Sequence, residues 1–266
     1  MNWHALRAYG RYLTRLESPR RAAPSAQALY WAALAPQAPL PETVPIEQLR
    51  RRLARSTTRL TLTDHGAGPA DRGGGSRTVR LGDLARRAAC PRRQGERLLR
   101  LTRWLQPQRM LELGTHLGFS ALYQSQGAPQ ARLLTLEGDP ALAELARAHL
   151  QQFGRSAEVL VGPFDQTLAP LDLATYRPEF VYLDGDHRYA PTLRYFAQIA
   201  PHVPPGGLIV LDDLYWSPGM TRAWQAICAR PEVSLSLDLY HLGLCVLHGT
   251  MEKRHHVWWG GGKFGI

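Results

Sequence analysis

Cysteine is scarce: Cys90, Cys228 and Cys245 are the only three in 266 residues, and no two of them form a C-x-x-C pair. That excludes a disulfide framework and a thiolate zinc site, and it points to a reducing compartment, the cytoplasm. Long apolar runs are missing as well. The longest near the start, "ALYWAALA" from Ala28 to Ala35, has eight residues, against the ~20 that a membrane-spanning helix needs. No membrane span is expected. Arg20 and Arg21 ahead of it imitate an export signal only faintly, because "AAPSAQ" interrupts the pattern. Lysine is nearly absent, since 30 of the 32 basic residues are arginine. No internal repeat is present.

The charge that is there is unevenly spread. Residues 1–109 hold 21 Arg against 7 acids, whereas residues 110–266 hold 11 basic residues against 15 acids. A basic front section could meet nucleic acid, an anionic lipid surface or an acidic partner. An Arg-rich coding bias or a merely solvated basic face explains it equally well.

Residues 3–16 read as an amphipathic helix, with Trp3, Leu6, Tyr9, Leu13 and Leu16 at steps of three and four and an Arg7, Arg11, Arg15 stripe. Such a face is expected to pack on the chain's own larger domain. "PQAPLPETVP" (36–45) is a proline-rich connector, "IEQLRRRLARS" resumes a helical pattern, and "DHGAGPADRGGGS" (64–76) reads as a mobile glycine-rich loop. Helix returns over 83–106.

From about residue 109 short apolar runs alternate with helical stretches, the pattern of a parallel sheet with crossover helices. The candidate strands are "RMLELG" (109–114), "RLLTLEG" (132–138), "AEVLVG" (157–162), "FVYLDG" (180–185), "GLIVLDD" (207–213), "VSLSLDL" (233–239) and "LGLCVLHG" (242–249). Each of the first five ends in Gly or an acid, and ligands in open α/β sheets bind beyond those carboxyl ends. Only Tyr240 and His241 separate the last two, so these should form an antiparallel edge hairpin.

"LELGTHLGFSALY" sets Glu112, Gly114 and Gly118 at the turn from the first strand to the first helix. Glycines there admit a ligand close to backbone amides at a helix N-terminus. Glu112 stands where a dinucleotide fingerprint has its first glycine. A carboxylate would repel a pyrophosphate but suits a cationic amino-acid ligand. Glu137 ends the second strand, 19 residues after Gly118, where an acid accepts hydrogen bonds from ribose hydroxyls. A ribose, a positive end and no pyrophosphate describe S-adenosyl-L-methionine.

On these motifs, and across roughly residues 85–250, the chain resembles the class I S-adenosylmethionine-dependent methyltransferases. The resemblance implies a doubly wound, mostly parallel α/β fold, a seven-stranded Rossmann-like sheet of order 3-2-1-4-5-7-6. It leaves residues 1–84 as an Arg-rich helical extension and 251–266 as a C-terminal tail. It further implies that Gly114, Thr115, Gly118 and Ser120 lie along the methionine part of the cofactor, that Glu137 holds the ribose, and that Gly162 in "VGPF" borders the adenine. Asp184 is expected to touch the cofactor as well.

"YLDGDHRY" and "LIVLDDLYW" end the fourth and fifth strands. If those strands are neighbours, Asp184, Asp212 and Asp213 converge, and three carboxylates so close need a compensating positive charge or a raised pKa. A divalent cation answers this, and all-oxygen ligands favour Mg2+, Ca2+ or Mn2+. The pattern is similar to the metal-dependent O-methyltransferases of the catechol type, and matches the Asp-Gly-Asp then Asp-Asp of the macrolide-sugar and aminocoumarin type. That likeness implies Asp184, Asp212 and Asp213 as metal ligands and Asp186 as general base. His187 is a competing base, although a place at the start of the next helix suits it too. N-capping of the helix near Pro218 would account for one of the aspartates, not for three. Tyr215 and Trp216 are expected to wall a substrate pocket, and Met220, Trp224 and Ile227 to belong to the core. The motifs "ELGTHLGFS", "DGDHRY", "DDLYWSPGMTRAW" and "DHGAG" also resemble those of uncharacterised bacterial methyltransferases.

The leading expectation is a metal-assisted O-methyltransferase for a small hydroxylated acceptor. A second is an RNA or protein methyltransferase docking through its basic front, although the base-methylating N/D-P-P-Y/F signature is absent. A third is an S-adenosylmethionine-binding regulatory or assembly protein without turnover. An oligomer is compatible with all three.

Overall fold

The structure is a computed structural model, and it describes residues 3–34, 40–63, 75–249, 254–258 and 260. Among these, ten strands form: β1 (Arg59–Thr63), β2 (Ser76–Arg80), β3 (Arg109–Leu113), β4 (Arg132–Glu137), β5 (Ala157–Val161), β6 (Phe180–Leu183), β7 (Leu208–Asp212), β8 (Val233–Asp238), β9 (Leu242–Leu247) and β10 (Arg254–Val257). β1 and β2 make a two-stranded ribbon. The other eight lie in the order β10-β8-β9-β7-β6-β3-β4-β5. Counted from β3 as the first strand, this is the expected 3-2-1-4-5-7-6 order with β10 added at one edge. All seven anticipated strands form, and each stops one or two residues before its motif ends. Gly114, Gly138, Gly162, Asp184 and Asp213 are therefore released into the connecting turns, whereas Glu137 and Asp212 close their strands.

The chain divides into two compact units, Ala35–Asp172 and Met1–Leu34 with Leu173–Ile266. In the first, β3, β4 and β5 pair in parallel. Parallel neighbours need crossover helices, and Phe119–Gly127 and Pro140–Gln152 supply them. β4 reads "RLLTLE" and is buried from Leu133 to Glu137, as a strand covered on both faces should be. Helix Arg92–Leu105 packs against Phe119–Gly127 at Gly95, where a Cβ would stand 2.2 Å from a Tyr123 ring carbon. No larger residue fits there.

The front of this unit is not purely helical. Helix Val44–Ala54 is followed by the antiparallel β1–β2 ribbon and helix Leu81–Arg87. Leu62 is the one buried residue of the ribbon, which alternates polar and apolar positions over only five residues a strand and so gave little signal. Of the glycine-rich stretch 64–76, expected to be mobile, residues 64–74 lie outside the described residues.

In the second unit β6 and β7 are parallel, β9 runs antiparallel to both β7 and β8, and β10 lies parallel to β8. The β8–β9 hairpin forms as expected and turns at Tyr240, whose φ is +70°. β10 comes from the stretch read as a tail. Helix Trp3–Thr14 docks by Ala8 and Tyr12, with Tyr9 and Leu16 of the predicted stripe packed beside them, whereas Trp3 and Leu13 of that stripe are exposed. The Tyr12 hydroxyl donates to the Trp258 carbonyl and accepts from Gly260 N at 2.9 Å, and the Tyr240 hydroxyl donates to Ala5 O at 2.9 Å. Tyr9, Tyr12, Tyr215 and Tyr240 form one aromatic cluster. Tyr12 is the buried centre of that cluster, 2% exposed. Met220, Trp224 and Ile227 are buried, as expected of core residues. Among the described residues, no helix is long and apolar enough to cross a membrane.

Candidate active site

The turn after β3 is shaped by left-handed backbone. Gly114 has φ +105° and Gly118 φ +81°, and a Cβ on Gly118 would meet the Ala146 methyl at 3.3 Å. Gly118 is also the N-cap of helix Phe119–Gly127. Between them, Gly114 N and Thr115 N both donate to Leu136 O, at 3.0 and 3.2 Å, which ties the turn to β4. Gly162 has φ +137° and donates to Glu137 O at 2.9 Å. Left-handed geometry of this kind favours glycine over any L residue with a Cβ.

Glu112 has no exposed surface. Gln124 Nε2 donates to its Oε1 at 2.6 Å and Thr135 Oγ1 to its Oε2 at 2.5 Å. Thr115 Oγ1 lies 2.6 Å from Thr135 Oγ1 and extends the chain of hydroxyls. Burial pushes the Glu112 carboxyl up to about 7, against the lowering effect of hydrogen bonds from Thr135, Ser120 and Gln124. Glu112 thus braces the turn from inside, with Ser120 and Thr115 beside it.

Glu137 is arranged differently, at the end of β4. His116 N donates to its Oε2 at 2.6 Å and Asp139 N to its Oε1 at 2.9 Å. Burial raises its pKa while those two amides hold it down. His116 has φ +50°, and its Nδ1 is buried without a hydrogen-bond partner among the described residues. Burial, with a smaller effect from the Arg77 charge, pushes its imidazole down to about 4, so the ring is neutral. An orphaned ring nitrogen next to an acid at a glycine turn is the polar edge that a bound ligand would satisfy.

The acidic cluster lies at the ends of β6 and β7. Tyr182 OH donates to Asp212 Oδ2 at 2.7 Å and reaches Asp184 Oδ2 at 3.3 Å. His187 Nε2 stands 3.6 Å from Asp184 Oδ1 and 3.9 Å from Asp213 Oδ2. Asp184, Asp212 and Asp213 are therefore brought together, linked through Tyr182 and His187. Asp213 has φ +52°, and its N–H donates to Asp212 Oδ1 at 2.8 Å. Desolvation first, then the neighbouring Asp212 charge, pushes the Asp213 carboxyl up to about 7, while His187 pulls the other way. Burial holds His187 below its ordinary value, against the pull of Asp213 and Asp186.

Asp186 does not stand as an open base. Arg188 clamps it, Nε to Oδ1 at 2.5 Å and Nη2 to Oδ2 at 2.7 Å, and its φ is +53°. The bidentate guanidinium occupies both carboxylate oxygens and holds them in place. His187 does not cap the following helix, Tyr189–Ile199, whose N-cap is Arg188. Neither Asp212 nor Asp213 caps helix Pro218–Ala229, because Ser217 does, accepting from Met220 N at 3.0 Å. Tyr215, expected to wall a pocket, instead stacks on Tyr240 and donates to Asp238 Oδ2 at 2.5 Å, whereas Trp216 is 59% exposed.

Six participants escaped the sequence reading: His116, Gln124, Thr135, Tyr182, Arg188 and Asp238. Thr135 and Asp238 carried a usable signal, a polar residue inside an otherwise apolar strand. Tyr182 carried none, because tyrosine is ordinary in strands.

Residues 111–214 match the model of the family described as "Methyltransferase domain". Over 131 residues the chain is 36% identical to a catechol O-methyltransferase of Mycobacterium tuberculosis (strain ATCC 25618 / H37Rv), covering 48% of this chain and 58% of that protein. The chain thus spans little more than half the length of the curated relatives it matches. Among solved structures it is similar to cofactor-bound Rv0187 from MTB (TM-score 0.57, 23% identity, 88% of this chain and 99% of the other). It is likewise similar to the O-methyltransferase TomG from Streptomyces achromogenes, in complex with SAM (TM-score 0.53, 25% identity, 60% of this chain and 82% of the other). The fold is that of the class I S-adenosylmethionine-dependent methyltransferases, as the motifs implied.

Proposed function

We propose that the chain transfers a methyl group from S-adenosylmethionine to an oxygen of a small hydroxylated acceptor, with a divalent cation assisting. The observation that carries this reading is the convergence of Asp184, Asp212 and Asp213 on Tyr182 and His187. The similarity to catechol and other O-methyltransferases supports it.

The cofactor supplies a methyl group made electrophilic by its sulfonium. Gly114, Gly118 and Gly162 let backbone approach it, Glu137 would accept from its ribose hydroxyls, and the unpartnered His116 Nδ1 offers one more polar contact. Glu112 acts by bracing the turn, with Thr115 and Ser120.

Among the described residues, no group of three or more His, Cys, Asp and Glu side chains is gathered into a ready-made metal cage. The donor set still suits a hard cation. It is all oxygen, and the Asp213 carboxyl is pushed up to about 7 by burial first and by the Asp212 charge second, a condition a nearby positive charge would relieve. Asp184, Asp212 and Asp213 would hold Mg2+ or a similar ion, which would add Lewis-acid activation of the acceptor hydroxyl.

His187, neutral because burial lowers its pKa, takes the proton from that hydroxyl. The C–O bond forms as the S–C bond breaks, leaving a methyl ether and S-adenosylhomocysteine. Asp186, locked to Arg188, fixes the loop that carries His187.

The test is an incubation with S-adenosylmethionine, Mg2+ and a dihydroxybenzoate as vicinal-oxygen probe, followed by mass spectrometry. Methylated product that disappears in EDTA supports the reading. Turnover that persists unchanged in EDTA removes the cation from it. Absence of product across a panel of catechols and sugar diols, despite cofactor binding, removes the acceptor class.

A further inference from the structure

We propose that the arginine-rich face of the unit Ala35–Asp172 is a docking surface for the phosphate backbone of structured RNA, separate from the choice of methyl acceptor. The face is built where helix Val44–Ala54 ends, β1 begins, and β2 passes into helix Leu81–Arg87. Leu81 N donates to Thr58 O at 2.9 Å, Arg86 donates to the Ala54 carbonyl, and Gly82 lies so close that a Cβ would meet Ser56 O at 2.7 Å. Arg51, Arg52, Arg55, Arg59, Arg80 and Arg87 are all exposed around this junction. Between residues 48 and 95 the sole acid among the described residues is Asp83, and Arg86 already pairs with it at 2.7 Å.

Ordinary causes explain part of this. The negative end of a helix dipole favours Arg51, Arg52 and Arg55 in and just after the last turn of Val44–Ala54. It does not explain Arg59 and Arg80, which are direct cross-strand partners in the ribbon. Like charges set opposite each other destabilise a strand pair, and among the described residues neither makes a salt bridge, the Arg80 charge being felt only by Asp83. Coding bias does not explain it either, because the same arginine-rich chain holds 15 acids against 11 basic residues beyond position 109.

The neighbouring groups decide the class of anion. On the same ribbon face Thr61 and Thr78 stand hydroxyl to hydroxyl at 3.5 Å, beside exposed Thr63 and Ser76. Guanidinium forks with hydroxyls are the groups that contact nucleic-acid phosphates. Among the described residues between 48 and 95 none of the exposed large hydrophobics occurs. The described face therefore offers no wedge for lipid, no aromatic anchor for a protein hot spot and no stacking platform for single-stranded bases. What remains is backbone recognition of a duplex.

The experiment uses the full chain and a fluorescein-labelled 20-base-pair RNA of arbitrary sequence, read by anisotropy from 50 to 300 mM KCl. We expect binding that weakens steeply with salt. In the Arg59→Gln/Arg80→Gln variant the slope of log Kd against log salt should fall by about two, with about tenfold weaker binding at 50 mM. Arg59→Lys/Arg80→Lys should keep the slope. Thermal unfolding and S-adenosylmethionine binding of both variants should match the parent, which separates this inference from the methyl-transfer reading. No binding at 50 mM KCl, binding indifferent to Arg59→Gln/Arg80→Gln, or tighter capture by phosphatidylserine vesicles than by RNA would each overturn the proposal.

Discussion

Replacing Glu112 by glutamine should make the protein more stable at pH 8 and leave it unchanged near pH 4.5. The Glu112 carboxyl is raised from an ordinary 4.5 to about 7 by complete burial. An acid whose folded pKa lies above its unfolded one binds its proton more tightly in the folded state. Its contribution to stability is thus greatest below about 4.5, declines as pH rises from there to 7, and stays lost above. Each pH unit of separation is worth about 1.4 kcal/mol, so the whole window amounts to about 3 kcal/mol. Glutamine keeps the hydrogen bonds: its carbonyl can accept from Thr135, and its amide can donate to Gln124 Oε1, a buried acceptor without a partner among the described residues. The assay is urea unfolding of both proteins at pH 5 and pH 8. Wild type should lose stability relative to Glu112→Gln by about 3 kcal/mol between the two. Glu137 and Asp238 are raised by burial with the same sign, but they are common to both proteins and cancel in the difference. A difference that does not change with pH would refute the reasoning. Calorimetry with S-adenosylmethionine adds a second readout. If Glu112 only braces the turn, affinity changes little on substitution, whereas a direct contact to the cofactor's ammonium would pull its pKa down and make wild-type affinity rise steeply through pH 7.

Four further outcomes follow from the same geometry. Asp212→Asn should lower turnover by about a hundredfold or more while S-adenosylmethionine affinity moves less than about threefold, measured by steady-state kinetics and calorimetry; equal losses would mark a structural role. His187→Gln should abolish the rise of kcat with pH at the acid side, which in wild type should fall below pH 6.5 because burial lowers that pKa, whereas Asp186→Asn should keep the rise. Gly118→Ala, at φ +81° with the Ala146 methyl 3.3 Å from the new Cβ, should weaken cofactor binding more than it lowers the melting temperature. Tyr12→Phe should cost about 1–2 kcal/mol in urea unfolding, by leaving the Trp258 carbonyl and Gly260 amide unpaired.

The sheet was legible because its strands are continuous apolar runs punctuated by glycine or acid, and strand order came from the family likeness carried by those punctuation marks. What stayed hidden was hidden for physical reasons. β1 and β2 are five-residue strands with one buried residue between them, too short for a period-two signal. β10 has the charged sequence "RHHV", and it pairs only through tertiary context, beside β8. In the site, the identities of the acids were readable from "DGDH" and "LDD", but their protonation was not. Whether Asp186 stands open depends on Arg188 curling back two residues, and the raised pKa of Glu112 comes from its complete burial, opposed by Thr135 and Gln124, residues 23 and 12 positions away.

The buried acids share one device. Glu112 accepts from Thr135, Asp212 from Tyr182, and Asp238 from Tyr215, each hydroxyl arriving from a neighbouring strand or turn. A hydroxyl donates without bringing a counter-charge. Burial raises the pKa of Glu112 and Asp238 against the lowering effect of those hydroxyls. Asp186 shows the contrast, because a bidentate guanidinium beside it fixes its position. On the proposed reading, the hydroxyl-linked Asp212, with Asp184 on the same Tyr182, would belong to the working end of the site, and Asp186 to its frame.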